Sequence, residues 1–551
     1  MVSTSTTRSN PLISLRAQLS LSARIIERSN VKDYASAIEQ IASNANDPGW
    51  SHDNIDPDVV IYCASEHDVV ATVRTAAAHD IHLTARSGGH SYSGHSSRSH
   101  EAGGWVVDLS GLIAVTRDPN NDDVVCVGAG LKLHRLNAEL LRFGLSFPKG
   151  TCRGVAIGGH LQSSASGPLK VAFGSGLDHV RQFRIVLASG EVVIAKSDNE
   201  YSEIYFCVLG GFPGSFGIVT EYTLRCINDR HVPHARLITR SWSLDQLDQG
   251  GIERILTHAQ NVARTQVSDN RRDVCVTVVI GLAHGGVDML PDIPLLGHVS
   301  QYPCLKRFFC VPNAAASKHV VQVILLWTGG EFTSVHYKKL VTPFDRITQG
   351  QKWWFPNAIN WNLSLSKITS LAVSALPPSG HRHVICGNHS RDWLPADAIH
   401  SISAECVRRV RTEHPFLIQI FMYGGAWIQN KTRNALGFRD AYVVMDDTIF
   451  FRHRNAAAVS QELNTFHATI PWSTVDVSRA GSPTVKQVRL ETFMTPDVYE
   501  RSVRERPVEE LRAYYPAPGA LKRLLRLKSQ VDPRDMFNGA GTVPPLHETA
   551  L

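Results

Sequence analysis

A strand, a helix and a second strand follow one another between residues 57 and 90, and this unit constrains the fold more than any other segment. DPDVVIYCAS is predicted as a buried strand because its apolar residues form one run between turn-forming residues. SEHDVVATVRTAAAHD is predicted as a helix, with Ser65 as the N-cap and Asp68 three residues later. IHLTARSGG reads as the second strand, and it runs directly into the loop RSGGHS at residues 86 to 91. A glycine-rich loop therefore follows a buried strand.

Strands and helices continue to alternate along the rest of the chain. HVRQFRIVLASGEVVIAKS is predicted as two strands joined by a turn at Ser189 and Gly190. From about 229 to 488, helices such as GGIERILTHAQNVART mix with apolar strands such as VCVTVVIGLA and DAYVVMDDTIFF, which is typical of one large sheet covered by helices. LKRLLRLKSQVDPRDMF is a basic helix that ends before Pro533. These patterns predict an α+β fold.

Composition argues against several classes of protein. The 551 residues are 43% hydrophobic and 19% charged, which suits a globular protein with two or more cores. The formal charge of +6 is spread along the chain, so we expect no nucleic-acid or membrane partner. Apolar runs fall short of a membrane span, and Arg16 and Arg24 interrupt the N-terminal one, so we expect an intracellular, cytoplasmic protein without a secretion signal. The ten cysteines form no CxxC pair, so we expect mostly reduced thiols and no metal site.

Glycines cluster in two loops of the first half. In RSGGHS, glycine would let the backbone approach a phosphate, and exposed N–H groups bind anions. The loop matches neither GxGxxG opening a helix nor GxxxxGK followed by Ser or Thr, so a turn-rich loop fits the residues as well as a phosphate site does. The second cluster, GTCRGVAIGGHLQSSASG at 150 to 167, carries Cys152, which taken alone is typical of an inert thiol.

Several motifs in a fixed order carry a resemblance to a known family. They are PDVVI at 57 to 61, RSGGH at 86 to 90, GTC at 150 to 152 with IGGH at 157 to 160, GLDHV at 176 to 180, FGIVT at 216 to 220, YGGA at 423 to 426 and VDPRDMF at 531 to 537. This set resembles the FAD-linked oxidases of the vanillyl-alcohol oxidase fold, in the berberine bridge enzyme-like subgroup. The resemblance implies a two-part, PCMH-type FAD-binding domain in residues 1–228 and a substrate-binding domain in 229–488, with a large antiparallel sheet covered by helices. Residues 489–551 would return to the FAD-binding domain.

The resemblance also implies how FAD is held. His90 occupies the position of the histidine bonded to the flavin 8α-methyl carbon, and Cys152 that of the cysteine bonded to flavin C6, so the cofactor would be attached bicovalently. His160 would lie beside the isoalloxazine on the side where oxygen reacts, and Val155 at the oxygen gate, where a valine favours an oxidase. The remaining implied cofactor contacts are Arg86, Ser87, Gly88, Gly89, Ser91, Tyr92, Gly158, Gly159, Gly167, Gly217, Ile218 and Val219.

This chain departs from the family at the catalytic base. VRLETFMTP aligns so that Thr492 and Phe493 stand where many members have an Asn-Tyr pair, and a phenylalanine cannot accept a proton. The candidates that remain are Asp447 or its neighbour Asp446, with Tyr423, Glu491 and His160. Strand alternation sends Asp446 and Asp447 to opposite faces, so one of them is expected to be solvated.

A second departure lies in the glycine turn after IGGH. Ser163, Ser164, Ala165 and Ser166 replace its consecutive glycines, which alters the wall of the flavin site.

The function that the resemblance implies is an FAD-dependent oxidoreductase of secondary metabolism. It would take hydride from a small-molecule substrate and pass the electrons to O₂, giving H₂O₂. The departures keep other functions open: a flavin-containing cyclase or isomerase with little or no net redox change, an oligosaccharide oxidase, or a binding protein that keeps only the fold.

Overall fold

The computed structural model describes most of the chain. The described residues are 10–42, 55–91, 95–282, 319–348, 358–371, 382–412, 414–430, 434–437, 439–451, 456–470, 484–485, 511–512, 515, 519–539 and 541–546. Tyr92 and Glu491 lie outside these ranges, as do Thr492 and Phe493, so the interpretations that involve these residues stay predictions.

Two sheets form the first half of the chain. One has the order β1-β2-β4-β3, with β2 and β3 both parallel to β4, and the other is antiparallel with the order β5-β6-β10-β8-β9. Their strands, together with the short pair β7 and β11, are β1 (Arg24–Glu27), β2 (Val59–Tyr62), β3 (Leu83–Arg86), β4 (Trp105–Asp108), β5 (Val115–Arg117), β6 (Val124–Gly128), β7 (Leu145–Ser146), β8 (Val180–Val186), β9 (Val192–Lys196), β10 (Ile218–Arg225) and β11 (Ile227–Asn228). The helices of this half are α1 (Pro11–Gln18), α2 (Val31–Ala42), α3 (Glu66–His79), α4 (Leu133–Arg142), α5 (Ile157–His160), α6 (Lys170–Phe173) and α7 (Ser202–Val208).

The predicted strand–helix–strand unit is confirmed as β2, α3 and β3. Asp68 N–H donates to Ser65 Oγ, and Ser65 N–H donates to the Asp68 carboxylate, so the predicted capping box fixes the start of α3. The two strands predicted in HVRQFRIVLASGEVVIAKS are β8 and β9.

One large antiparallel sheet dominates the second half, in the order β15-β12-β14-β13-β17-β18-β16-β19. Its strands are β12 (Arg236–Ser243), β13 (Val274–Leu282), β14 (His319–Trp327), β15 (Ala358–Asn362), β16 (Arg382–Ser390), β17 (Phe416–Met422), β18 (Val443–Phe451) and β19 (Thr484–Val485). The helices that accompany it are α8 (Gln249–Ser268), α9 (Ser334–Leu340), α10 (Thr342–Asp345), α11 (Leu365–Leu371), α12 (Ala396–Val410), α13 (Ala426–Gln429) and α14 (Ala456–Thr469). The predicted α+β fold is confirmed.

Alternate residues of this sheet face two different cores. Ile418 and Met445 join a core with residues of α8 such as Ile255, so helices cover that face. Phe421 and Val444 belong instead to the core of the first half. Because side chains alternate along a strand, the face of β17 and β18 that carries Phe421 and Val444 is the one directed toward the first half of the chain.

The C-terminal helix α15 (Ala520–Val531) packs in the core of the first half through residues such as Leu521 and Leu524. Lys528 anchors this return because its buried ammonium donates to the carbonyl oxygens of Ser215, at 3.0 Å, and Phe537, at 2.8 Å, and pairs with Asp532 at 2.6 Å. This packing supports the proposed division into 1–228, 229–488 and 489–551. Among the described residues, no helix is both long and apolar enough to cross a membrane.

Lys528→Met is expected to lower the free energy of unfolding by about 3–5 kcal/mol, because it leaves the Asp532 carboxylate buried without its cation. Lys522→Met removes an exposed lysine from the same helix and should change the stability by less than about 0.5 kcal/mol. Urea unfolding of both variants at neutral pH measures the difference. Equal stabilities would show that the buried ammonium does not hold the C-terminal helix in place.

Candidate functional site

The two glycine-rich loops meet at a cleft that encloses about 1010 Å³ of space, its open mouth included. Of the predicted cofactor and catalytic residues, those lining the cleft are Ser87, Gly88, Gly89, His90, Ser91, Val155, Gly159, His160 and Val219. The cleft therefore gathers residues from the loop after β3, from the loop before α5 and from β10.

Close backbone contact holds the loops together. A Cβ atom on Gly88 would lie 2.8 Å from the Ala156 nitrogen, and one on Gly158 would lie 2.1 Å from Ser87 Oγ. Gly89 adopts φ +61°, a left-handed conformation that favours glycine. The chain can thus turn sharply at 88–89 while the loops touch without side chains between them.

His90 and Cys152 come together in this arrangement, 62 residues apart in sequence, with Cys152 Sγ 3.2 Å from His90 Nε2. Burial would lower the pKa of His90, but the hydrogen bond and charge of Cys152 outweigh burial and raise it. A thiol this close to an imidazole can pass its proton to the ring, and the thiolate is the nucleophilic form of cysteine.

His160 lines the cleft as a neutral imidazole. Burial, with a contribution from Lys149, lowers its pKa to about 3. Its Nε2 accepts the N–H of Gly150 at 3.0 Å, which fixes the ring and leaves the proton on Nδ1. Burial also lowers the pKa of Lys149 to about 8. His160 is therefore suited to hydrogen bonding rather than to carrying charge.

Several predicted cofactor residues do not line the cleft. The Arg86 guanidinium is buried, pairs with Asp108 and lies over the ring of Tyr62. Arg86 thus has a structural position beneath the loop. Cys152 is also outside the lining and contacts it through His90. The others, which pack against neighbouring strands or loops or lie within a core, are Gly158, Gly167, Gly217 and Ile218.

The adjacent aspartates of β18 point to opposite faces, as predicted, but both are buried, so the expectation that one of them is solvated is wrong. Asp447 faces the helices, where its Oδ2 accepts from Arg409 Nη2 at 2.9 Å and lies 3.0 Å from His467 Nε2. Burial would raise the pKa of Asp447, but Arg409 and His467 outweigh burial and lower it. The structure thus gives Asp447 a paired, structural environment away from the cleft.

Asp446 faces the first half of the chain and is 1% exposed. Neither of its carboxylate oxygens has a hydrogen-bond partner among the described residues. Burial raises its pKa to about 8, against the charge of Lys170 and with a further rise from Asp447. Of the two aspartates, Asp446 has the properties of a proton acceptor poised near neutral pH.

Asp446 does not line the cleft, and a buried cluster lies between its sheet and the second glycine loop. Lys170 Nζ lies 4.5 Å from the ring centroids of both Phe421 and Tyr423. Tyr423 OH is 2.7 Å from Ser166 Oγ, at the end of that loop. Burial raises the pKa of the Tyr423 hydroxyl, so Tyr423 is a neutral hydrogen-bonding group rather than a base at physiological pH.

Sequence reasoning missed part of this site. Lys149 and Lys170 were not singled out, because a lysine near a loop is usually exposed and only the tertiary packing buries these two. Gly541 and Thr542, which follow the motif VDPRDMF, also line the cleft. The motif VDPRDMF is the sequence signal that could have placed these two residues at the site.

Comparison with known proteins finds a matching family model and similar curated proteins. A family model for an FAD binding domain matches residues 57–196. Monolignol oxidoreductase AtBBE-like 13 of Arabidopsis thaliana is 30% identical over 220 residues, 39% of this chain and 40% of that protein. Glucooligosaccharide oxidase of Sarocladium strictum is 26% identical over 253 residues, 44% of this chain and 50% of that protein. The chain spans between about a fifth and a half of the length of the curated relatives that it matches.

A solved structure of a berberine bridge enzyme variant aligns with a TM-score of 0.71 at 15% identity, over 98% of this chain and 99% of that one. At this identity, the likeness shows the fold.

The residues of the cleft fit FAD. A Cβ atom on Gly159 or on Gly214 would meet no protein atom within 4 Å, so both glycines border open space in the cleft. Among the described residues, no backbone N–H of Ser87, Gly88 or Gly89 donates to another backbone group. These N–H groups can therefore bind the oxygen atoms of a pyrophosphate.

Gly159→Leu is expected to fold with near-wild-type stability but to lose most of its bound FAD, because the side chain would project into the cleft. The matched variant Gly158→Ala should instead lower the free energy of unfolding by about 1–3 kcal/mol, because its Cβ has no space beside Ser87. Flavin absorbance per protein and urea unfolding measure the two effects. Full FAD content in a folded Gly159→Leu variant would rule out this cleft as the cofactor site.

Proposed function

The chain belongs to the FAD-linked oxidoreductases of the berberine bridge enzyme-like family, and we propose that it oxidises a small-molecule substrate with FAD held covalently and O₂ as electron acceptor. The observation that carries the proposal is the contact of His90 with Cys152 beside a cleft bordered by open glycines. A cleft with a purely structural role would not require His90 and Cys152 to be in contact beside these glycines.

His90 and Cys152 would hold the cofactor through the flavin 8α-methyl carbon and C6. Both attachment sites lie on the same ring of the isoalloxazine, which agrees with the 3.2 Å separation of the two side chains. Two bonds would also fix the cofactor without relying on binding energy. When bound, FAD supplies the acceptor for a hydride and transfers the electron pair to O₂, giving H₂O₂.

Asp446 is the proposed proton acceptor. It lies on the sheet face that meets the FAD-binding half, and its proton affinity suits transfer near neutral pH. The substrate would lose a hydride from carbon and a proton from oxygen or nitrogen, the latter to Asp446. Neutral His160 would donate a hydrogen bond from Nδ1, and Val155 would leave room for O₂ in the cleft.

The substrate is proposed to carry a hydroxyl group or an amine next to the carbon that is oxidised. Two relatives support the hydroxyl group, since by their names they act on monolignols and glucooligosaccharides, and both kinds of compound are alcohols. A panel of primary alcohols, oligosaccharides and benzylic amines, assayed for H₂O₂ and for anaerobic loss of flavin absorbance, tests the proposal. Product formation without flavin reduction would favour a cyclase or isomerase instead.

The covalent tethers can be tested by mass spectrometry of protein precipitated in acid. Wild-type protein should carry two flavin-linked peptides joined through His90 and Cys152. His90→Ala and Cys152→Ala should each retain covalent FAD through the other residue, and the double variant should release all its FAD. Covalent flavin in the double variant would show that the bonds are made elsewhere.

The base is identified by comparing the two neighbouring aspartates. Asp446→Asn is expected to slow anaerobic flavin reduction by about 10²–10⁴-fold, because an amide cannot accept the proton. In wild type the rate should rise with pH through about 8, where the Asp446 carboxyl ionises. Asp447→Asn should mainly lower stability, because it breaks the buried pair with Arg409. If Asp447→Asn stops flavin reduction while Asp446→Asn does not, the roles are reversed.

A further inference from the structure

Lys170 is a buried cation that crosses between the two halves of the chain. It lies on α6 of the first half, is 1% exposed and inserts between the rings of Phe421 and Tyr423 from the large sheet. Its Nζ has no hydrogen-bond partner among the described residues. Aromatic faces attract an ammonium group electrostatically, so the two rings hold the charge where hydrogen bonds do not.

Asp446 has few charged neighbours besides this lysine. Across the sheet it is paired with Gln419 of β17 and Gly387 of β16, and neither carries charge. His389 is buried on the same face of β16, opposite Val444. The charge of Asp447 acts on Asp446 from the opposite face of β18.

The remaining titratable groups surround Lys170. Cys275 of β13 and Tyr423, which follows β17, both interact electrostatically with this cluster, and burial raises the pKa of each, so both are neutral near pH 7. Lys170 Nζ lies over the ring of Phe421. Phe421 is paired with Val444, two residues before Asp446 on the same face of β18. This position makes Lys170 the nearby lysine whose charge acts on Asp446.

We propose that Lys170 is a positioning residue, a cation contributed by the FAD-binding half that keeps the Asp446 carboxyl group able to ionise near neutral pH. This inference rests on the proposed function, in which Asp446 accepts the substrate proton. It assigns to Lys170 no contact with the substrate or with the reacting atoms.

The physical reason is the cost of a buried negative charge. A carboxyl group without hydrogen bonds in an apolar setting keeps its proton, and a nearby cation favours the charged form. Burial raises the pKa of Asp446 to about 8 even with Lys170 present. A small further rise in this pKa would therefore keep the carboxyl group protonated throughout the physiological range. Burial also lowers the pKa of the Lys170 ammonium, while Cys275 and Asp446 oppose that change.

Lys170→Met tests the inference in the FAD-loaded protein, because it removes the charge and keeps an unbranched side chain of similar length. The infrared C=O stretching band of a protonated carboxyl group, assigned by its loss in Asp446→Asn, follows the ionisation of Asp446 as pH rises. In Lys170→Met this band should persist to a pH higher by about 1–3 units, and in Lys170→Arg it should titrate as in wild type. Lys149→Met removes another buried lysine and should leave the band unchanged.

The pH dependence of anaerobic flavin reduction gives a second readout. Its rising limb should shift to higher pH in Lys170→Met by the same amount as the infrared band, with the plateau rate retained at high pH. An unshifted band overturns the role of Lys170 and leaves Asp446 as a candidate base. If the band shifts in Lys170→Met but flavin reduction is unaffected in Asp446→Asn, Lys170 acts on the carboxyl group of Asp446, and Asp446 is not the base. Urea unfolding of Lys170→Met establishes that both readouts come from folded protein.

Discussion

The packing of one glycine-rich loop against another is the contact on which the candidate site depends. Gly88 lies against Ala156 and Gly158 against Ser87, at distances that leave no space for a β-carbon. Only this approach places a histidine from the loop after β3 beside a cysteine 62 residues later. His90 and Cys152 can thus interact because the glycines have no side chain, which lets the two backbones come closer than ordinary packing permits.

The large sheet supplies the second element of the site through strand alternation. Two consecutive aspartates of β18 occupy environments with opposite effects. Asp447 has a guanidinium and an imidazole as partners, whereas Asp446 is paired across the sheet with uncharged residues and has no hydrogen-bond partner among the described residues. One residue is stabilised as an anion and the other is kept near its ionisation point. The pKa of the same residue type is therefore shifted in opposite directions on the two faces of one strand.

Much of the fold could be predicted from the sequence because local patterns specify it. The capping box at Ser65 and Asp68, the alternation in β8 and β9, and the stop before Pro533 are all local signals. The loops carrying His90 and Cys152 were found from motifs. The local sequence could not show which aspartate of β18 faces the FAD-binding half. Alternation places adjacent residues on opposite faces of a strand but does not indicate which face meets the other half of the chain.

The polar interior was harder to predict than the elements. Arg86, expected beside the cofactor, is buried against Asp108 and Tyr62, because its strand turns this side chain away from the cleft. Lys149 and Lys170 are buried because segments distant in sequence pack over them. The residues next to each lysine in the sequence do not predict this burial. Burial of a charge is a tertiary property, so the charge states of the site require the folded structure.

The return of the C-terminal segment has a consequence for the order of events in biosynthesis. Gly541 and Thr542 form part of the wall of the cleft, and Lys528 ties their segment to the loop around Ser215. During translation, the loops carrying His90 and Cys152 leave the ribosome hundreds of residues before this wall exists. A nascent chain can fold much of its first half, but the complete cleft forms only after synthesis has passed Thr542, so the final setting of the cofactor exists only from that point on.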